Sequence, residues 1–446
     1  MRQDFVRALF CAALWLAVPL ESWAADLAEI YQRARANDPT YEAARYTLEA
    51  ALQKVPQARA GLLPSVSVTG NDSSTRAQTT FSDTPTVERN VRAWTYALQL
   101  TQPLIRFQNF YAYSESERLA EQAEAQFALA EQDLILRVAQ TYFDVLVAEE
   151  SVTAVAAQVR ALNEQWRQAK RGYETGVAAI TDMYDAKSKL EQARSQEVSA
   201  QNDLETKRTE LERLIGTAPA RLSSLGPEAG SPRIEPQDPQ AWADRAAQDN
   251  PTVRMQRAAE AAADAEVQRN RAEYTPTLDL TMSSGANYSS GTLANPVDFS
   301  TRVRSSQAGV QFTIPIFSGG GTSSRVAEAI ANKRKAAAQL EEARRKARAD
   351  AKEAYAGVLS ATSQIDALKA ALEAGQNAVK GNKTGYALGI RINNDVLSAE
   401  QQLYQSRRDF AKARYEALMQ GLKLKAASGI LGESEVTAIN AMLTHQ

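Results

Sequence analysis

The chain is written twice, and this duplication limits what it can fold into more than any local motif does. Asn37-Asp38-Pro39-Thr40 returns as Asp249-Asn250-Pro251-Thr252, and Leu63-Pro64-Ser65-Val66 returns as Thr275-Pro276-Thr277-Leu278. Leu98-Gln99-Leu100-Thr101-Gln102-Pro103 returns as Val310-Gln311-Phe312-Thr313-Ile314-Pro315. The proline pairs Pro39/Pro251, Pro64/Pro276 and Pro103/Pro315 are each 212 residues apart. Gly172-Tyr173-x-x-Gly176 and Asp182-x-x-x-Ala186 recur as Gly385-Tyr386-x-x-Gly389 and Asp395-x-x-x-Ala399, at a spacing of 213. A unit this long is a tandem half-structure rather than a short solenoid repeat. Two similar halves predict a pseudo-symmetric object.

The first residues read as a secretory signal. Arg2 and Arg7 form a positive start, Ala8 to Leu20 an apolar run, and Ser22-Trp23-Ala24 a small-x-small cleavage site before Ala25. The apolar run is well short of the ~20 residues that span a bilayer. The single cysteine, Cys11, lies inside this segment, so the mature chain has no thiol, disulfide or cysteine metal site. The single histidine, His445, is penultimate. A formal net charge of −2 gives no pointer to nucleic acid. The expected plan is a signal peptide over 1–24, repeat 1 over 25–216 and a Pro-rich connector over 217–238. Repeat 2 follows over 239–429, and a C-terminal segment over 430–446.

Each repeat alternates helical pattern with a strand pair. Helix is expected from about Asp26 to Ala60, Gln108 to Tyr173 and Ala178 to Ile215, then from Pro239 to Arg271, Ser324 to Tyr386 and Asn393 to Ala427. A helix of ~65 residues is about 100 Å long, so it needs neighbours. Leu119, Ala123, Phe127, Ala130 and Leu134 form an apolar stripe at coiled-coil spacing, which is read as packing rather than as a binding surface.

The strands carry more functional information. In Trp94 to Thr101 the even positions are large and apolar, and the odd ones small or polar. The same alternation runs through Ser65–Thr69, Thr277–Met282 and Val310–Ile314. Period two means that one face meets something apolar while the other meets water. The neighbouring helices are polar, which favours a lipid-facing surface over a soluble sheet, with Trp94, Tyr96 and Tyr288 as interface aromatics. Four strands cannot close a barrel, and open edges are excluded from lipid, so strands in a membrane require an oligomer. The polar stretches Thr80 to Asn90 and Gly291 to Thr301 are expected as exposed hairpin loops.

The sequence holds no catalytic constellation: no His-Glu-x-x-His, no nucleophile elbow, and no histidine placed to act as a base. Ser318-Gly319-Gly320-Gly321 imitates a phosphate loop but continues Thr322-Ser323-Ser324-Arg325, without the Gly-Lys-Ser/Thr that reaches phosphates. A strand-to-helix transition is the better reading. No cofactor is expected, and a periplasmic hydrolase is disfavoured.

At this point the order of elements and several motifs resemble the TolC family of outer-membrane exit ducts. The likeness runs from about Leu27 to Leu443. It is carried by Asn37-Asp38-Pro39, Leu62-Leu63-Pro64, Leu98-Gln99-Leu100-Thr101-Gln102 and Thr141-Tyr142-Phe143-Asp144-Val145-Leu146, and further by Ala179-Ile180-Thr181-Asp182, Tyr386-Ala387-Leu388-Gly389-Ile390-Arg391 and the tail from Leu431. The resemblance implies a mainly α fold with β: a homotrimer whose four strands per chain form a 12-stranded outer-membrane β-barrel, continued by a periplasmic α-helical barrel. It assigns the connector and the C-terminal segment to an equatorial belt. It also implies a passive duct for efflux or type I secretion, recruited by a periplasmic adaptor and an inner-membrane ABC or proton-driven transporter. The competing class is a coiled-coil structural or adhesive outer-membrane protein. The substrate is not encoded in a passive conduit.

The family gate carries over residue by residue. Tyr386 and Arg391 match the moving side of a latch, and Thr181 and Asp182 the fixed side. Gln165 matches a further linking residue, but the family's partner is a glutamate and this chain has Lys383. Asp395 matches a ring of constriction aspartates; the second ring's aspartate is Ser398 here. Gly176, Ala179 and Gly389 at the helical tips match adaptor-docking positions.

Overall fold

A computed structural model of the chain describes residues 25–82, 84–219, 221–226 and 234–444. The expected signal peptide with Cys11, the connector prolines Pro227 and Pro232, and His445 lie outside the described residues. The first half runs α1 (Leu27–Asn37), α2 (Pro39–Leu52), α3 (Lys54–Ala60), β1 (Ser65–Thr79), β2 (Val87–Ile105), α4 (Phe107–Glu174) and α5 (Ile180–Ile215). After a short β3 (Ser224–Leu225), the second half runs α6 (Pro239–Asp249), α7 (Pro251–Arg271), β4 (Thr277–Ser289), β5 (Thr301–Thr313), α8 (Gly321–Ala387) and α9 (Asn393–Ala427). The chain closes with α10 (Glu433–Asn440) and β6 (Leu443–Thr444).

The stretch expected as one helix from Asp26 to Ala60 is three helices, and that from Pro239 to Arg271 is two. The cause of the shared break is local. Asp38 and Asn250 each precede a proline, whose missing N–H and fixed φ suit the first helical position. The side chains of both residues then cap the new helix. Asp38 accepts from the Thr40 and Tyr41 amides, each at 3.3 Å. Asn250 Oδ1 accepts from the Thr252 amide at 2.9 Å. Asn37-Asp38-Pro39 and Asp249-Asn250-Pro251 are thus two copies of one stop-and-restart.

One compact unit combines Ala43–Ala130 with Asp244–Ala349. It holds an antiparallel four-stranded sheet in the order β1-β2-β4-β5. One row across the four strands is Val66, Leu100, Met282 and Ala308; the adjacent row is Ser67, Gln99, Ser283 and Gln307. Successive side chains of a strand point to opposite faces, so the first row is on one face and the second on the other. Val68 beside Leu98, Leu280 beside Val310 and Leu278 beside Phe312 extend the apolar face. That face stands open: Val68 is 74% exposed and Phe312 61%.

The expected hairpin loops are shorter than the sequence suggested. Val87–Asn90 already belong to β2, with Val87 opposite Thr79 and Asn90 opposite Arg76, and Thr301 opens β5 opposite Ser289. Arg76 and Glu88 bridge these strand ends at 3.3 Å. Glu88, Arg89 and Asn90 put polar side chains on both faces of the β2 end, which hides its period.

A second compact unit combines Met1–Glu42, Glu131–Ala243 and Asp350–Gln446. Its described residues form a helix-packed core in which Leu134, Val138, Tyr142, Phe143 and Leu146 of α4 are buried together with Leu211 and Ile215 of α5 and Tyr415 of α9. The Tyr142 hydroxyl donates to the Ser223 carbonyl at 2.7 Å, and Phe143 lies 5.6 Å from the Tyr415 ring. The Thr141-Tyr142-Phe143 motif is therefore a packing motif. The first and last described segments meet in this unit. The Ala25 amide donates to the Arg221 carbonyl at 2.7 Å, β3 pairs with β6, and Asn440 Nδ2 donates to Asp26 at 2.8 Å. Among the described residues no helix is long and apolar enough to cross a membrane.

Candidate functional site

The recurrent Gly-Tyr-x-x-Gly segments are two copies of one turn, from α4 into α5 and from α8 into α9. In the first, the Val177 and Ala178 amides donate to the Gly172 carbonyl at 2.8 and 3.1 Å, and the Gly176 amide to the Tyr173 carbonyl at 3.0 Å. In the second, the Ile390 and Arg391 amides donate to the Gly385 carbonyl at 2.9 and 3.2 Å, and the Gly389 amide to the Tyr386 carbonyl at 3.0 Å. This wrap is a Schellman-type helix end, which needs a left-handed residue. Gly176 supplies it at φ 76° and Gly389 at φ 74°. The leading glycine has a different task, because the returning chain closes over it. A Cβ on Gly172 would stand 3.0 Å from Ala178 Cβ, and one on Gly385 would stand 2.7 Å from Arg391 Cγ. The spacing of the motif is thus the spacing of one helix-terminating turn.

Around the turns, apolar side chains face outward: Val177, Leu388, Ile390 and Ile392 are all exposed, Ile390 by 76%. Each turn thus has an exposed apolar rim: Val177 and Ala179 beside Gly176, and Leu388, Ile390 and Ile392 beside Gly389. Sequence reading picked out the glycines but not the aliphatics that surround them.

Thr181 and Asp182 lie in the first turn of α5, and Asp395 in the first turn of α9. Carboxylates are favoured there by the helix dipole. Arg391 stands just before α9, and its guanidinium reaches Asp395 at 3.6 Å. The structure therefore joins one expected latch residue to the expected constriction residue. Among the described residues, neither the Asp182 carboxylate nor the Tyr386 hydroxyl has a side-chain partner inside the chain. Ser398 is exposed one turn beyond Asp395 on the same helix.

Gln165 is buried in α4, and neither its Oε1 nor its Nε2 finds a hydrogen-bond partner. Lys383 does not face it. Its ammonium pairs instead with Glu400 Oε1 at 2.6 Å, while Glu400 Oε2 and Asn393 Nδ2 stay buried and unbonded. Burial, and then the Glu400 charge, push the nearby Tyr404 hydroxyl above its ordinary pKa. Glu400 escaped sequence reading, although a signal was present. It stands on the stripe Asn393, Val396, Leu397, Glu400, Leu403 that α9 buries, one acid in an apolar register. Leu397 on this stripe packs against Leu162 and Ala169 of α4 and Ala186, Leu190 and Ala193 of α5. Lys189 of α5 donates to Gln401 of α9 at 3.3 Å. The first-repeat helix pair and α9 are thus held together by an apolar seam flanked by one polar link.

The family described as outer membrane efflux protein matches residues 30–217 and again 242–430, one match in each repeat. The chain is similar to the alkaline protease secretion protein AprF of Pseudomonas aeruginosa, with 29% identity over 96% of this chain and 89% of that protein. It is similar to the outer membrane protein TolC of Vibrio cholerae, with 27% identity over 98% of each. Its fold resembles the crystal structure of the Campylobacter jejuni CmeC outer membrane channel at a TM-score of 0.75 and 19% identity, covering 93% of this chain and 89% of that one.

Proposed function

Because the chain belongs to the outer membrane efflux protein family, we propose that three copies assemble into one closed duct through the outer membrane. The chain is an outer-membrane exit duct of the efflux and type I secretion kind, extending into the periplasm. Its relatives are transport proteins rather than enzymes, and none of them supports the adhesive coiled-coil alternative.

The observation that carries the trimer is the open, two-faced sheet. Its apolar face suits lipid and its Ser/Thr/Gln face suits a watery lumen. Among the described residues, the outer edges of β1 and β5 are unpaired. Such edges cannot stand in hydrocarbon, where every backbone group must be bonded. Three sheets of four strands would close edge to edge as a 12-stranded barrel. The long helices of the three chains would line the periplasmic passage.

In this reading the helix turns are the entrance. The unbonded Asp182 and Tyr386, and the buried unbonded Gln165, are supplied with partners when the second-repeat helices are drawn inward against neighbouring helices. Asp395 contributes one carboxylate per chain to a constriction, and Ser398 contributes none. The exposed aliphatics around Gly176, Ala179 and Gly389 form the face that a periplasmic adaptor would cover, with an inner-membrane transporter supplying the energy. The assembly is tested by purifying the mature chain in mild detergent and reconstituting it in planar bilayers. A trimer by mass with discrete conductance steps is expected; a monomer with no conductance would overturn the reading.

A further inference from the structure

The apolar face of the sheet changes character toward the strand ends that carry the hairpin loops. Ala308 stands opposite Met282, and Met282 opposite Leu100. Further along the same face, Arg304 is opposite Ala286 and Ala286 opposite Tyr96. In the next such row Arg302 is opposite Tyr288 and Tyr288 opposite Trp94. Residues two apart on a strand share a face, so both arginines emerge beside the aromatic residues on the apolar side. Trp94 stacks on Tyr96 and on Tyr288 with ring centroids 5.7 Å apart in each pair, and the Arg302 guanidinium lies 5.7 Å over the Tyr288 ring.

The other arginines of this face are neutralised within the chain. Arg92 pairs with Asp72 at 2.6 Å and Arg76 with Glu88 at 3.3 Å. Among the described residues Arg302 and Arg304 have no ion pair, and both are exposed. On the other side of the aromatic rows the face dips into an apolar hollow of about 440 Å³, lined among others by Leu98, Leu100, Met282, Ser284, Ser306 and Ala308. Ser284 and Ser306 bond to each other at 2.9 Å, which removes one hydroxyl donor from the hollow.

We propose that the two guanidiniums and the hollow form a binding site for a phosphorylated glycolipid of the outer leaflet. Arg302 and Arg304 hold a headgroup phosphate, and the hollow takes the first carbons of an acyl chain. Arg304 to Ala308 is about 13 Å along the strand, the scale of a sugar headgroup and the start of its chain. Guanidinium meets phosphate through paired N–H donors, and its stacking on Tyr288 presets the geometry. A cation at a lipid-facing rim is tolerated near the interface and is favoured where an anion neutralises it. The apolar hollow beside the charges selects a lipid over a free phosphate. This site rests on reading the sheet as membrane-embedded.

The test uses the full-length protein in phosphatidylcholine nanodiscs doped with lipid A bearing both phosphates, or with the dephosphorylated form, and reads retained lipid by native mass spectrometry. Retention of the phosphorylated form should exceed that of the dephosphorylated form by about tenfold. Joint Arg302→Gln and Arg304→Gln should abolish that preference while the protein still inserts. Ala308→Trp, which fills the hollow, should weaken retention of both forms. Equal retention of the two forms by the unaltered protein, or an undiminished preference in the double variant, overturns the site. Inorganic phosphate binding with undiminished strength in the Ala308→Trp variant and displacing the lipid would also overturn it, leaving an anion site only. Failure of the unaltered protein to enter phosphatidylcholine nanodiscs at all would instead bring down the membrane reading, and this site with it.

Discussion

Lys383 lies 2.6 Å from Glu400 and joins α8 to α9, and the Glu400 side chain keeps only 3% of its surface exposed. Where the family resemblance places a glutamate facing Gln165, this chain has turned the charge around and used it within its own second-repeat helix pair. Removing one partner of a fully buried pair costs about 3–5 kcal/mol, and the half-exposed Lys383 lowers that to roughly 1–3 kcal/mol. Lys383→Met should lower the thermal unfolding temperature, and the double change with Glu400→Met should recover most of it. Equal stability of Lys383→Met and the unaltered protein would remove the pair from the account.

Opening of the entrance is expected to follow the latch residues. Arg391→Ser and Tyr386→Phe should each raise single-channel conductance in planar bilayers. Charge-assisted hydrogen bonds of this kind contribute roughly 1.5–3 kcal/mol each, a size that partner binding could oppose. Unchanged conductance in both variants would sink the latch assignment.

The pairing of Arg391 with Asp395 adds a sharper expectation. Asp395→Asn should weaken block by a polyvalent cation such as hexamminecobalt. Arg391→Ser should strengthen that block, because it frees a carboxylate that the guanidinium now partly neutralises at 3.6 Å. Identical block in all three proteins would refute the carboxylate ring.

Adjacent residues of β2 should respond in opposite ways. Leu98→Arg places a charge on the open apolar face, at a cost of about 2–4 kcal/mol near a bilayer midplane. Gln99→Arg places it on the polar face. Trimer recovered from outer membranes should fall sharply for the first and little for the second; the reverse order would invert the sheet.

Acid stability should depend on Asp38. Burial by itself would raise its carboxyl pKa, but the hydrogen bond and charge of Arg137, with the Thr40 and Tyr41 amides, outweigh burial and hold the carboxyl below the usual range. A depressed folded pKa means that its stabilisation is fully present above the unfolded value, about 3.9, and is lost as pH falls through the folded one. Asp38→Asn should therefore cost roughly 1.5–3 kcal/mol at neutral pH, and the gap should close on acidification. A gap independent of pH in urea titrations would contradict this.

Much of the architecture was legible because it rests on local rules. Gly-Tyr-x-x-Gly marked a helix end and alternation in Trp94–Thr101 a two-faced strand, whereas the helix breaks before Pro39 and Pro251 were read through as continuous helix. The ends of β2 and β5 were missed because Glu88, Arg89, Asn90 and Thr301 are polar and break the apolar alternation there. Glu400 was also missed. Which partner a charge chooses depends on distances between helices far apart in sequence.

By itself the sequence determined the duplication, the two turns and the strand faces, because each depends on neighbours within a few residues. It also raised the expectation of more than one chain, since four strands placed in a membrane cannot close a barrel. Only the tertiary structure decided that Lys383 goes to Glu400, that Arg391 goes to Asp395, and that Arg302 and Arg304 emerge together beside a hollow. Those outcomes depend on register and helix packing, where a shift of one residue turns a side chain to another face.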